Sequence, residues 1–173
     1  MTDTPHRLEQ PARMSGPVLV GVVQGQRPVV VEQAAKLAAA AGLPLVCAHV
    51  DVTVYPVDGT TGGAAAPIDP DSGDADVQDI PEQLRKDLEA RLSGLDVEWS
   101  AVFLAGEPAK ALAREANHSG ASMIVVGSRD HKLGSVIKEL TGGSIARHLV
   151  HHQDRPVLVV PVDPRLPDDD DED

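Results

Sequence analysis

The stretch Met123–Pro161 narrows the possible folds most. A short apolar run, Met123–Val126, stops at Gly127 and leads into a polar loop that carries Gly134, Gly142 and Gly143. Ser144 opens a helical pattern, and Pro156 introduces a second β-branched run, Val157–Val160. A strand that yields to glycine and then to a helix start can hold an anion. Glycine lets the backbone come close, and the unpaired N–H groups of the first helical turn point at the ligand. The same pattern also makes a plain turn, with Ser144 or Thr141 as an ordinary N-cap. The residues alone leave both readings open for Gly127 and for Gly143–Ser144.

The remaining chain supplies three more strands and their helices. Val18–Val23 (VLVGVV) is continuously apolar, as in a parallel strand covered on both faces. After the break at Gln24–Pro28, Val29–Ala41 places Ala34, Leu37, Ala38 and Ala41 at helical spacing, with Gly42 as its C-cap. Pro44–Val50 is the second strand, reached by a right-handed crossover. Asp51–Asp79 is rich in Gly, Pro, Asp and Ala and shows no period, so it reads as a mobile insertion. It ends at Asp79-Ile80-Pro81-Glu82, an Asp-x-x-Glu capping signature. Behind it Leu84, Leu88 and Leu92 form one apolar stripe, with Glu82 and Lys86 as an i,i+4 pair. Val97–Leu104 alternates, with Val97, Trp99, Ala101 and Phe103 on one face. Gly106-Glu107-Pro108 starts a helix with proline in its first turn. Leu112, Ala113 and Ala116 line its inner face, and Gly120 follows its end. Five apolar runs alternating with helices make an α/β protein, a doubly wound parallel sheet with helices on both faces. No internal repeat is present.

Composition shapes the core and excludes several functions. With 42% hydrophobic but only 2% aromatic residues, the interior must be built from Val, Leu, Ile and Ala. Net charge is −12, and Asp163–Asp173 holds seven acids against Arg165, which leaves the body at −6. Neither part forms the basic footprint of a nucleic-acid binder. No apolar run approaches the ~20 residues of a membrane span, and residues 1–16 read as a disordered leader without a secretory h-region. Cys47 is the single cysteine, so a reducing, cytoplasmic setting is expected, with the thiol buried and inert. The expected organisation is a leader over 1–16, a domain over 17–162 with the 51–79 insertion, and an acidic solubilising tail over 163–173.

The ordered blocks VLVGV, VCAHV, GEPAKALAREANHSGASMIVVGSR and GGSIARHLVHHQDRPVLVVP resemble the universal stress protein family over almost all of Val18–Val162. That resemblance implies the sheet order 3-2-1-4-5. Strands one and four are then neighbours whose connections leave in opposite directions, with a ligand crevice at their carboxyl ends. ATP-binding members resemble one another in Gly-x2-Gly-x9-Gly-[Ser/Thr] and in an acidic residue just after strand one. By resemblance, Gly127 matches the first glycine, Gly143 with Ser144 the closing pair, and Val50 the strand-two position beside adenine. Arg129 is placed to hold a phosphate or a partner carboxylate, or to stand solvated in the loop, and the residues leave these open. The match breaks in the middle. Asp130 replaces the second glycine, the spacing to Gly143 is three residues longer, and Val23 or Gln24 stands where the acid belongs. Asp130 against a phosphate at ~4 Å is repulsive by on the order of 4 kcal/mol before screening, several hundred-fold in affinity. Arg27, Arg129, His131 and Lys132 offset part of it.

The expectation is therefore a homodimeric regulatory or interaction module with a modified adenine-nucleotide cleft and an unknown protein partner. The alternative is an adenine-nucleotide-binding stress protein taking ATP or AMP. The family's use of its last strand places the dimer contact at the Val157–Val160 edge. His148, His151 and His152 have a spacing that can hold a metal, but no Cys or carboxylate completes it. No phosphate-binding Gly-x4-Gly-Lys-[Ser/Thr] and no nucleophile–base pair appears, so no catalysis is expected.

Overall fold

A computed structural model describes residues 14–56, 65–67, 79–128 and 145–162. Residues 1–13, 57–64, 68–78, 129–144 and 163–173 lie outside the described residues, and with them most of the expected leader, most of the expected insertion and the acidic tail.

Strand β1 (Val18–Val22) is the spine, with Val18, Leu19 and Val20 fully buried. It is followed by α1 (Val29–Ala41), β2 (Leu45–Asp51), β3 (Val54–Pro56) and β4 (Ala65–Pro67). Then come α2 (Glu82–Leu92), β5 (Trp99–Ala105), α3 (Pro108–Ser119), β6 (Met123–Gly127), α4 (Ile145–His152) and β7 (Val157–Val160). The main sheet has the order β5-β2-β1-β6-β7 with every pair parallel, which is 3-2-1-4-5 by its own five strands.

The sheet is covered on both faces, as the continuous apolar strands require. On one face Val18, Val20, Val22 and Val125 pack with α1 and with Leu84, Leu88 and Leu92 of α2. On the other, Leu19, Ile124 and Val126 pack with Leu112 and Ala116 of α3 and Leu149 of α4. Trp99, Ala101 and Phe103 share the first face, as their alternation predicts. Alanines at the helix–sheet contact keep the layers close, and β-branched residues fill the strands.

Glycine and proline set the helix ends where the sequence places them. Gly42 and Gly120 close α1 and α3 in the left-handed region, both at φ 64°, where a Cβ is penalised. Glu107 caps α3, its carboxylate accepting from the N–H groups of Ala109 and Lys110 at 3.1 and 3.3 Å. Glu82 and Lys86 pair at 3.3 Å.

Three expectations need correction. The buried face of α1 is Val30, Val31, Ala34, Ala35 and Ala38, whereas Leu37 is 37% exposed and Ala41 lies outside. The small alanines and the first-turn valines, rather than the largest apolar residue, face the sheet. Asp79 forms no capping box. Its carboxylate accepts from the Ile80 N–H at 2.8 Å and from Arg85, while the helix start at Pro81 has no side-chain cap. Finally, the 51–79 stretch contains an antiparallel pair, β3 with β4, in the register Val54↔Pro67. Val54, three residues past the end of β2, is buried.

Candidate functional site

The geometry of interest begins where two neighbouring strands part. The β1–β6 ladder ends at Val20↔Val125, although β1 stays paired with β2 as far as Val22↔His49 and β6 with β7 as far as Gly127↔Val160. Beyond Val20 the β6 side of β1 therefore has no strand partner. The connections from β1 and β6 lead to helices on opposite faces, so this parting is the switch point of the sheet.

A side chain closes the gap. The chain leaves β1 through a turn in which the Gln26 N–H donates to the Val23 carbonyl at 3.1 Å and Gly25 takes φ 78°. Type II turns need a positive φ at that third position. The turn folds Gln26 back on its own strand. Its Oε1 accepts from the Val23 N–H at 3.3 Å, and its Nε2 donates to the Gly21 carbonyl at 3.5 Å. In a parallel ladder one residue of the next strand would make both of these contacts. Continuing the β1–β6 register by two residues makes that residue Gly127. The carboxamide of Gln26 thus stands in for a backbone amide of β6.

The opposite side of the same strand end is also satisfied. His49 Nδ1 donates to the Val22 carbonyl at 3.2 Å, which fixes the proton on that nitrogen because a carbonyl only accepts. The imidazole leans on Phe103 at 6.2 Å between centroids.

Gly127 sits at the centre of this arrangement for a packing reason. A Cβ on it would meet Val30 Cγ2 at 3.0 Å, Val162 Cγ1 at 3.1 Å and Gln26 Nε2 at 3.3 Å. Ser128, the next residue, is held by its N–H to Val160 O at 2.7 Å and by its Oγ, which accepts from the Val162 N–H at 3.0 Å. The exit of β6 is therefore fixed by β7 and the turn beyond it.

Of the residues expected at the cleft, the structure brings Gln24, Val50 and Gly127 to the same carboxyl end of the sheet, Gln24 in the turn after β1 and the other two on the strands that flank β1. Gln24 is exposed in the turn, and Val50 is half-buried at the end of β2, opposite Leu104 of β5. Arg129, Gly143 and Ser144 lie outside the described residues, as do Asp130, His131 and Lys132. Gln26 carries no motif, and sequence reasoning passed over it. The available signal was the Gln-Gly-Gln turn directly after the central strand.

Other titratable groups lie away from the crevice. Burial pushes the Cys47 thiol up to about 12. Burial also raises the Glu115 carboxyl on α3, opposed by the charge of His118. His148 Nδ1 lies 4.0 Å from Glu107 Oε1, and its ring meets that of His152 edge-on at 6.3 Å. No group of three metal-ligating side chains occurs among the described residues.

Five parallel strands in this order, wound on both faces and parted between the first and fourth, define a doubly wound α/β domain whose switch point lies where β1 and β6 part. The chain belongs to the universal stress protein family, whose pattern matches residues 14–161. Over 83 residues it is 32% identical to the stress response protein NhaX of Bacillus subtilis (strain 168). That stretch is 48% of this chain and 48% of NhaX, so the match spans about half of the relative's length. Among solved structures, a universal stress protein from Archaeoglobus fulgidus is similar with a TM-score of 0.56 at 20% identity, over 85% of this chain and 99% of that one. A universal stress protein in complex with cAMP gives 0.55 at 19% identity, over 86% and 100%. The Archaeoglobus fulgidus protein in complex with dAMP gives 0.51 at 18%, over 85% and 98%. At these identities the likeness is one of fold. No helix among the described residues is long and apolar enough to cross a membrane.

Proposed function

We propose that this chain is a homodimeric regulatory or interaction module of the universal stress type, cytoplasmic and without catalytic activity, whose adenine-nucleotide cleft is altered so that ATP is held weakly or not at all. The observation that carries the reading is the chemistry at the end of β1. Val23 or Gln24 stands where the acid after strand one belongs, and the strand's free backbone groups, the Gly21 carbonyl and the Val23 N–H, are already bonded to the neutral amide of Gln26. Asp130 adds a negative charge to the loop that would face a phosphate. Arg129, Gly143 and Ser144 complete the cleft in this reading, beside Val50 and Gly127.

Dimerisation through β7 is part of the same proposal. That strand pairs with β6 on one side, and Leu158 and Val159 are 38% and 42% exposed on it. An apolar edge of this kind is a template for a second copy. Light scattering after size exclusion at micromolar concentration tests it, and a clean monomer contradicts it.

A second reading, an adenine-nucleotide-binding stress protein taking ATP or AMP, is favoured by the two fold neighbours that hold cAMP and dAMP. Calorimetric titration with Mg-ATP, ADP, AMP and cyclic AMP separates the readings. Micromolar heat with ATP, abolished by Gly143→Asp, supports the second.

A further inference from the structure

We propose that Gln26 is the residue that sets ligand affinity at the switch-point crevice, by occupying with its own carboxamide the backbone groups that a bound nucleotide would otherwise reach. The inference rests on the cleft reading above and adds to it a specific, removable obstacle.

The argument starts from the ladder. A parallel strand that loses its neighbour leaves an N–H and a C=O directed into the gap, and buried polar groups of this kind need partners. Here those groups are the Val23 N–H and the Gly21 C=O, and Gln26 satisfies both. The orientation of the carboxamide follows from its partners, since only Oε1 accepts and only Nε2 donates. Nε2 also lies 3.3 Å from the point directly above Gly127 Cα where a Cβ would stand. One half-buried amide therefore bridges the ends of β1 and β6 at the place where doubly wound sheets take their ligands.

Two features make this a displaceable group rather than a fixed part of the core. At 3.3 and 3.5 Å both hydrogen bonds are at or beyond the long end of the usual range, so they are weak. Gln26 also belongs to a turn beside exposed Gln24, Gly25 and Arg27, so its side chain has solvent to swing into. Any ligand that reaches the floor of the crevice must first expel it. The expelling ligand has to offer a donor beside an acceptor, as a vicinal diol or a carboxamide does. Affinity is lowered by the interactions that the carboxamide gives up. The two weak contacts together amount to about a fivefold effect.

The test uses the full chain with Gln26→Ala, Gln26→Ser and, as a control, Gln33→Ala on the exposed side of α1. Amide hydrogen exchange at Val23 reads the contact, and calorimetry with AMP reads the affinity. Both Gln26 variants should speed Val23 exchange about twofold to threefold and tighten AMP binding about fivefold. Gln33→Ala should change neither. Unchanged Val23 exchange overturns the proposal outright. Faster exchange with unchanged or weaker AMP binding overturns the role in affinity, while binding by the unaltered chain leaves the cleft reading intact. No binding of AMP at millimolar concentration by any of the proteins sinks the second, nucleotide-binding reading and the affinity role together.

Discussion

The carbonyl oxygen of Gly120 stands 1.8 Å from the point where a Cβ on Gly16 would sit. The chain entering β1 is pressed against the C-cap of α3, and Ser122 locks the contact. Its Oγ accepts from the Gly16 N–H at 3.0 Å and donates to the Gly16 carbonyl at 2.7 Å. Gly16→Ala forces one of two backbones to move, a cost of about 1–3 kcal/mol. The melting temperature should fall by roughly 2–10 °C for a chain of this size. A change under one degree would show that the entry segment is not held there.

Arg155 ties the start of β7 to the same corner. Its Nε donates to the Ala121 carbonyl and its Nη1 to Asn117 Oδ1, both at 2.6 Å. Arg155→Ala should cost about 1–3 kcal/mol, and Arg155→Lys should recover little of it, because an ammonium cannot span two acceptors held in that fork. Chemical denaturation of the three proteins measures the ranking. Full rescue by lysine would mean that only the charge matters.

Cys47 is fully buried, and its thiol is pushed from 9.0 up to about 12. The folded protein should therefore resist thiol reagents at pH 8 and react fully once unfolded. The folded value lies above the unfolded one, so the neutral thiol favours the fold. That contribution is complete below pH 9 and is lost as the pH rises towards 12. Stoichiometric labelling of the native state at pH 8 would contradict this placement.

Glu115 shows the same sign in the acidic range. Burial raises its carboxyl above the ordinary 4.5, so its neutral form is the one favoured by folding. Its contribution is present below 4.5 and declines as the pH rises through the raised value. Glu115→Gln should raise the melting temperature at pH 7 and leave it nearly unchanged at pH 4. Destabilisation by glutamine at pH 7 would mean that the His118 attraction outweighs burial.

The main sheet was legible in the sequence because its signal is redundant. VLVGVV, PLVCAHV and the run after Arg155 are too apolar and β-branched to be anything but strands, and Gly42, Pro108 and Gly120 mark helix ends by backbone chemistry alone. What was less legible depends on contacts the period does not encode. The phase of α1 is decided by which side can approach the sheet closely, so Val30, Val31 and the alanines face inward and Leu37 does not. Asp79 has the spacing of a capping residue but spends its carboxylate on Ile80 and Arg85. The β3–β4 pair is too short and too rich in Pro and Ala to show an alternation.

The candidate site was legible in position and less so in content. Gln24, Val50 and Gly127 do converge on one end of the sheet, as the strand order requires. Gln26 was invisible because its role comes from folding back on Gly21 and Val23, a contact within six residues that no spacing motif describes. Gly127 read as a phosphate-loop residue or a turn, and the structure adds a third cause, crowding by Val30 and Val162.

The proposed edge pairing of β7 is testable without touching the core. Leu158→Arg places a charge on an exposed apolar position of the edge. Light scattering should show twice the 18.2 kDa chain mass for the unaltered protein and a single chain mass for the variant, with little change in melting temperature. A dimer that survives this substitution uses another surface.

The proposed loss of tight nucleotide binding is tested most directly by calorimetric titration of the full chain with Mg-ATP. The proposal predicts no saturable heat tighter than about 100 µM, because Gln26 occupies the free backbone groups at the end of β1 and Asp130 brings a negative charge in place of a glycine. A dissociation constant at or below about 1 µM would contradict it.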